Sequence, residues 1–262
     1  MSGPAERVRA WRPSVPGVPE VLHAHFTEHA YPAHVHAEWT LLLVDAGGVD
    51  YTLDGGRQQA VAGRLTVLPP YVSHDGRSAA PGGFDKRVLY VDERWLPEAL
   101  TGAAVRAPSP ADRELVRAVS ALHACLDVRR EDDLEAQDRL AVVAERIALH
   151  LGSHQPHPAD RDAGLARLVR RRLDDDEPTL EALSRELGTH PSHLVRVFRR
   201  EYGLPPHRYV VGRRLDRARR LLLDGLPIAE VAVASGFHDQ SHLTRHFRAL
   251  LGTTPGAFRR AA

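Results

Sequence analysis

The C-terminal part of the sequence contains two copies of one short pattern, and this repeat restricts the available folds more than any other feature. The segments SHLVRVFRREYG (192–203) and SHLTRHFRALLG (241–252) match at Ser, His, Leu, Arg, Phe, Arg and Gly. The Leu and Phe of each copy are four residues apart, so they lie on one face of a helix. Such close agreement indicates a repeated structural unit rather than generic amphipathic helices.

A short amphipathic segment and a glycine turn precede each copy. LEALSREL is followed by Gly188, IAEVAVAS is followed by Gly236, and the second helices begin at Pro191 and after the capping residue Asp239. One helix-turn-helix pattern is weak evidence, because antiparallel helix pairs occur in many cores. Two copies with the same landmarks predict a paired helix-turn-helix, joined by the long basic helix HRYVVGRRLDRARRLLL (207–223).

Charge is divided unevenly along the chain. Residues 1–160 carry 16 Lys and Arg against 22 Asp and Glu, whereas residues 161–262 carry 19 against 12. A basic segment joined to an acidic one is typical of a module that meets an anionic polymer. The alternative is compositional, because Lys86 is the sole lysine and an arginine-rich chain carries arginine on any solvated face.

The predicted second helices expose side chains suited to DNA. Arg and Gln pair bidentately with guanine and adenine edges, and Thr and Val methyl groups suit the thymine methyl group. The alternative for the equivalent Arg196 and Arg245 is a salt bridge to a neighbouring acid. The outward-facing candidates are Ser192, Val195, Arg196 and Arg199 in the first copy and Gln240, Ser241, Thr244, Arg245 and Arg248 in the second.

This segment resembles the AraC/XylS family of bacterial transcription regulators. The resemblance rests on the Gly-Phe turn, the Ser-x-Leu-x-Arg-x-Phe helix and the closing Gly-x-x-Pro between 228 and 258, and the first repeat matches equally well, so that together they cover about 164–260. It implies two recognition helices in successive major-groove segments of double-stranded promoter DNA. Arg199 and Arg248 are assigned to phosphate and the other candidates to bases. RNA polymerase is an expected partner of an activator.

The N-terminal sequence has a different period. Short β-branched or aromatic runs between 21 and 91 are separated by glycine turns, among them Asp54-Gly55-Gly56, and they predict a small antiparallel β-barrel or sandwich. Residues 1–20 contain four prolines and no periodicity, which predicts a flexible arm.

Apolar residues then recur at helical spacing over 115–126 and 140–151, which predicts a helical hairpin. Its apolar stripes either cover the barrel or form a homodimer seam. The predicted fold is α+β with two domains: a flexible arm (1–20), a cupin-like barrel (21–110), the hairpin (111–151), a linker (152–163) and an all-α DNA-binding domain (164–262).

Three histidines in the barrel are similar to the cupin signatures. His34-Val-His36 and a later Gly-x5-Pro segment followed by His74 carry this resemblance, which implies a site for a divalent metal at His34, His36 and His74. The sequence departs from the metal-binding pattern at Glu38, which is too close to His36, and at Tyr71 and Ser78. Three alternatives follow: a metal site, a metal-free effector pocket and structural histidines.

The expected effector is a small polar molecule. No nucleophile–base set or phosphate-binding glycine loop is present, so no catalytic residue is assigned and the chain is not expected to be an enzyme. The alternatives are a metal-dependent cupin enzyme, whose ligand set is incomplete here, and an alkyl-transfer repair protein, for which Cys125 lacks an activating neighbour. The predicted effector-binding residues are His34, His36, Glu38, Tyr51, His74 and Arg87.

A single cysteine and the lack of an apolar run of 18 residues indicate a cytoplasmic protein without membrane contact. The sequence as a whole predicts a DNA-binding transcriptional regulator that responds to a small molecule and acts as a homodimer.

Overall fold

The N-terminal half consists of two antiparallel sheets that face each other. The computed structural model describes residues 6–127, 134–152 and 161–261. The strand order is β1-β2-β9-β4-β7 in the larger sheet and β3-β8-β5-β6 in the smaller one, which is the predicted cupin-like architecture. The strands are β1 (Arg7–Trp11), β2 (Glu20–Phe26), β3 (Tyr31–His34), β4 (Trp39–Ala46), β5 (Gly48–Leu53), β6 (Gly56–Val61), β7 (Leu65–Leu68), β8 (His74–Ser78) and β9 (Phe84–Val91).

The turn between β5 and β6 follows the predicted chemistry. Leu53 pairs with Gly56, and the two residues between them have positive φ, 49° at Asp54 and 78° at Gly55. A two-residue hairpin of this type requires left-handed backbone at both positions, which Asp tolerates and Gly adopts freely.

Both faces of the five-stranded sheet are buried. Along β4, Leu41 and Leu43 pack on the outer side, whereas Leu42 and Val44 point between the two sheets. A strand covered on both sides needs no polar alternation, which explains the continuous apolar run LLLV (41–44).

The remaining described chain is helical. A 3-10 turn at Glu98–Leu100 precedes the first helix, and no helix in the described ranges is long and apolar enough to span a bilayer. The helices are α1 (Thr101–Arg106), α2 (Arg113–Asp127), α3 (Leu134–Gly152), α4 (Arg161–Asp175), α5 (Leu180–Glu186), α6 (Pro191–Tyr202), α7 (Pro206–Leu223), α8 (Ile228–Ala234), α9 (Gln240–Leu251) and α10 (Pro255–Arg260).

Helices α2 and α3 form the predicted hairpin, and their apolar stripes cover the barrel. Leu122 and Ile147 are fully buried in one cluster with Leu41 and Leu89 of the sheet. A dimer seam made of these stripes is therefore wrong, because the barrel already occupies them. Residues 128–133, between the two helices, lie outside the described residues.

The N-terminal arm is not loose where the structure describes it. Residues Arg7–Trp11 form an edge strand that pairs with β2, and the Trp11 indole donates a hydrogen bond to the Leu126 carbonyl at 3.0 Å. Val15 and Val18 are buried as well. The prediction of a flexible arm was wrong here because prolines bounded a short strand rather than preventing one. Of the predicted linker, residues 153–160 lie outside the description, and α4 already begins at Arg161.

The C-terminal half contains the paired helix-turn-helix. Helices α5 and α6 form the first unit, α8 and α9 the second, and α7 joins them. The repeated glycines end the recognition helices, with φ of 71° at Gly203 and 69° at Gly252, a conformation that glycine adopts without strain. Asp239 caps α9 as predicted, accepting from the His242 N–H at 2.7 Å.

Candidate functional site

A small cavity lies between the two sheets. Its volume is about 60 Å3 for the centres of water-sized molecules, and most of its lining is apolar. Leu251, the last residue of α9, contributes to the lining, so the cavity is built by both halves of the chain. Apolar and aromatic lining residues include Phe26, Tyr31, Leu42, Val88, Tyr90 and Leu251.

The three predicted histidines converge in this cavity. His34 ends β3 and pairs in register with His74 at the start of β8, while His36 follows two residues after the strand. The three side chains are buried, and one ring nitrogen of each lies within 4.8 Å of the others. The predicted placement of the histidines in one site is confirmed.

Hydrogen bonds fix the orientation of each imidazole. Nδ1 lies 2.8 Å from the Pro32 carbonyl in His34, 3.1 Å from the Val72 carbonyl in His74, and 3.1 Å from the Asp216 carboxylate in His36. Carbonyl and carboxylate oxygens accept hydrogen bonds, so each Nδ1 carries a proton and donates. The lone pair of each Nε2 is left for a ligand.

Burial keeps the three imidazoles neutral. It lowers the pKa of His74 to about 4. It also lowers the pKa values of His34 and His36 well below the ordinary value, and the neighbouring His74 adds to this effect. Neutral imidazoles are the form that binds metal ions and accepts hydrogen bonds.

Lys86 is a lining residue that the sequence analysis missed. Its ammonium lies 4.2 Å from the centre of the Tyr31 ring, and burial lowers its pKa to about 7. Strand alternation places Lys86 towards the cavity and turns Arg87 to the other face, where it pairs with Asp45 at 2.6 Å. Arg87 was therefore a wrong prediction, displaced by one residue from the lysine that lines the site.

Glu38 was also predicted wrongly as a lining residue. Its carboxylate accepts from Arg220 of α7 at 2.8 Å, at the contact between the two halves. Tyr51, by contrast, lines the cavity as predicted. An ion pair to a residue 182 positions away leaves no signal in the local sequence, which is why Glu38 seemed available for a ligand.

A buried ionic cluster joins the cavity wall to α7. Arg219 donates to Glu20 at the start of β2 and to Asp216 at 3.4 Å, and each of these side chains is at most 4% exposed. The Arg219 guanidinium also lies 4.4 Å from the centre of the Tyr90 ring, which lines the cavity. Asp216 in turn accepts from His36, so cavity and helix share one hydrogen-bonded network.

Other arginines of α7 bind within the protein. Arg213 lies 3.1 Å from Asp174, and Arg214 lies 2.7 Å from Glu177. The basic character of this helix therefore serves to hold it against α4, the following loop and the barrel.

The predicted DNA-reading residues lie on the outer surfaces of α6 and α9. In α6, Ser192, Arg196 and Arg199 are exposed, Val195 is half-buried, and Arg196 lies 2.6 Å from the His193 ring nitrogen. One open surface of α9 is formed by Gln240, Ser241, Thr244, Arg245, Arg248 and Ala249. In both helices the repeated Leu and Phe are fully buried on the opposite side, as predicted.

A barrel with a cavity between its sheets, joined to two helix-turn-helix units with exposed polar faces, defines the class of ligand-sensing transcriptional regulators. Residues 16–144 match the AraC-like ligand binding domain, and residues 183–261 match a helix-turn-helix domain. The chain belongs to the AraC family of transcriptional regulators.

Relatives and solved structures agree with this assignment. The transcriptional activator NphR of Rhodococcus sp. is 29% identical over 126 residues, covering 48% of this chain and 37% of NphR. The regulator GlxA of Rhizobium meliloti is 35% identical over 126 residues, covering 46% of this chain and 38% of GlxA. This chain thus spans less than half the length of these relatives, which are regulators and not enzymes.

The fold extends over the whole chain of a solved protein. ToxT from Vibrio cholerae superposes with a TM-score of 0.62 at 11% identity, covering 98% of both chains. The likeness shows that the two domains of this chain occur together in a known fold.

Proposed function

We propose that this protein regulates transcription by binding double-stranded promoter DNA through α6 and α9 in response to a small molecule held in the barrel. The observation that carries the proposal is the pair of recognition helices, which present equivalent exposed side chains, such as Arg196 and Arg245, on a firmly packed core. Promoter binding implies action in the cytoplasm.

The exposed residues divide into two roles. Arg196, Arg245, Gln240 and Thr244 are proposed to contact base edges, together with Ser192, Val195 and Ser241. Arg199 and Arg248 lie about one helical turn after Arg196 and Arg245. They are proposed to contact phosphate, a contact that positions the helices without reading sequence.

The effector is proposed to combine an apolar body with a polar or anionic group. The lining is mostly apolar, and the Lys86 ammonium and three imidazoles provide the polar contacts. ToxT, which shares the fold, has been solved with an unsaturated fatty acid bound. His34, His36, Tyr51 and His74 remain in the proposed effector site, and a divalent metal ion at the histidines is a proposed occupant of it.

A homodimer is proposed through the outer face of α3. Leu134, Val142 and Leu149 are 63%, 50% and 70% exposed, and their spacing of eight and seven residues places them along one side of the helix. A second copy of the chain would cover this stripe. RNA polymerase is the proposed further partner if the protein activates transcription, as the relative NphR is named to do.

The experiment is selection of bound DNA from a random pool by the full chain, followed by titration of the selected site at several salt concentrations. Arg245→Ala should cost about 1–3 kcal/mol and relax the preference at one base position. Arg248→Ala should weaken all sequences about equally and lower the salt slope by about one.

Arg64→Ala, at an exposed position on the barrel, is the matched control and should leave both quantities unchanged. Salt-insensitive binding, or an Arg245→Ala protein with full affinity and unchanged base preference, would contradict the proposal.

A further inference from the structure

The three cavity histidines present a donor set that suits a metal ion. Among the described residues, His34, His36 and His74 are the group of three potential ligands that lie close together, and all are neutral imidazoles. Zinc and similar divalent ions of the late first transition row accept three imidazoles and keep further positions for water or another ligand.

The hydrogen bonds around the rings provide an independent test of this fit. Metal-binding histidines nearly always donate the other ring N–H to a carboxylate or a backbone carbonyl, which fixes the ring and its tautomer. All three rings do so here, through the carbonyls of Pro32 and Val72 and the carboxylate of Asp216. Three neutral imidazoles around one cavity, with one ring nitrogen of each within 4.8 Å of the others, favour a cation or a hydrogen-bond donor between them.

The three acceptors differ in origin. The Pro32 and Val72 carbonyls are within two residues of the histidines they hold, whereas Asp216 lies on α7, 180 positions from His36. The carboxylate is held by Arg219, which also binds Glu20, so its position depends on the docking of α7 against the barrel.

We infer that Asp216 of the DNA-binding half is the positioning residue that couples a divalent transition-metal ion at His34, His36 and His74, the occupant proposed above, to the docking of α7. The inference rests on the proposed function and adds a means of regulation to it. Asp216 orients His36 and increases its basicity as a ligand. Because coupling is reciprocal, the ion stabilises the docked arrangement of the two halves.

The charges around the site are mixed. Lys86 and Arg219 are the cations that face the histidines, and Asp216 and Asp75 are the nearby acids. The two cations oppose a bound metal ion. Burial raises the pKa of Asp216 and the neighbouring Arg219, at 3.4 Å, lowers it, so the ion pair with Arg219 favours the carboxylate form that accepts from His36. Lys86 beside the ion also provides a contact for an anionic group of an organic effector.

The test uses the full chain, freed of metal with a chelator and titrated with Zn2+ against a chromogenic chelator, with Co2+ absorption as a second signal. The wild type should bind one ion per chain. Asp216→Asn and Asp216→Ala should each weaken binding by about 10–100-fold, the loss typical of an outer-shell partner. His74→Ala should abolish the Co2+ spectrum of the three-imidazole site.

The matched control is Glu38→Gln, which breaks the ion pair with Arg220 at the same contact but touches none of the histidines. It should change Zn2+ affinity by less than about threefold. Zn2+ should also raise the melting temperature of the wild type more than that of Asp216→Asn, and this readout separates a positioning role from a general loss of folding.

Failure to bind Zn2+ or Co2+ at one ion per chain would overturn the inference. Equal affinities in the wild type and the well-folded Asp216→Asn protein would overturn the role of Asp216. Neither result would affect the proposed DNA binding by α6 and α9, which the selection and titration of DNA measure independently of metal binding.

Discussion

The two faces of the five-stranded sheet carry equally apolar strands but meet different surroundings. The outer face, with Leu41, Leu43 and Leu89, packs against the hairpin α2–α3 in one buried apolar cluster. The inner face, with Leu42, Val88 and Tyr90, borders a cavity that also holds three imidazoles and a lysine. Adjacent residues of a single strand therefore serve packing on one side and a binding site on the other.

The difference concerns more than polarity. In a close-packed core each methylene makes packing contacts on all sides, whereas a side chain in a cavity wall lacks such contacts on the side that faces the cavity. The inner face also depends on the C-terminal half, because Leu251 and the Arg219 cluster complete it. Stability should therefore be concentrated on the outer face and sensitivity to ligands on the inner face.

The largest expected effect compares two neighbours in β4. Leu41→Ala should lower the free energy of unfolding by about 2–5 kcal/mol, because it opens a new void in a dry core. Leu42→Ala enlarges a cavity that exists already, so its decrease in the free energy of unfolding should be smaller than that of Leu41→Ala by about 1 kcal/mol or more. Urea denaturation of both proteins measures the difference, and equal losses would contradict the contrast between the faces.

A second effect concerns a histidine that lies on the filled side. His123 of α2 is fully buried, its Nδ1 lies 3.4 Å from His23 Nε2, and burial together with Arg87 lowers its pKa to about 3. As the pH drops, His123 is protonated in the unfolded chain at a higher pH than in the folded protein. The free energy of unfolding therefore falls as the pH drops from about 6.5 towards 3.

Between these two pH values, His123 alone lowers the free energy of unfolding by about 1.4 kcal/mol for each pH unit. His123→Leu should remove it, so that the slope of unfolding free energy against pH between pH 6 and 4 decreases by about one proton. Chemical denaturation at a series of pH values is the measurement. A variant with the slope of the wild type would show that His123 does not titrate with unfolding.

The smallest effect on stability is expected on the outside of the hairpin. Val142→Asp, at a half-exposed position of α3, should change the free energy of unfolding by less than about 0.5 kcal/mol. If α3 forms the proposed dimer, the same variant should sediment as a monomer. Leu122→Asp, on the buried stripe of α2, should instead unfold the barrel. A folded Leu122→Asp monomer would instead support a dimer interface at the apolar stripe of α2, which the structure shows packed against the barrel.

Local patterns predicted much of this molecule. The repeat located both helix-turn-helix units, with the Leu and Phe positions buried and the glycines ending the helices, because these features depend on residues a few positions apart. The turn at Asp54-Gly55 and the convergence of His34, His36 and His74 likewise followed from local chemistry and from the cupin resemblance.

The rest depended on pairings between distant segments. The choice between Lys86 and Arg87 requires the register of β9 with its neighbours, which a single strand does not reveal. In the sequence, Asp216 is one acidic residue in a basic helix. Its contact with His36 depends on how α7 docks against the barrel, which the sequence does not show. The apolar stripes of the hairpin were compatible with either a dimer or the barrel, since burial against a sheet and against another chain require the same residues.

The position of the sole lysine also allows opening of the barrel to be followed by proteolysis. Lys86 lies in β9, the central strand of the five-stranded sheet, where it is paired with Ala24 of β2 and Val44 of β4. An endopeptidase specific for lysine thus has one cleavage site in 262 residues, and it is reached only when the middle of the sheet opens. The rate at which two fragments appear reports the opening of the barrel, and a molecule that occupies the cavity would be detected by the delay it causes.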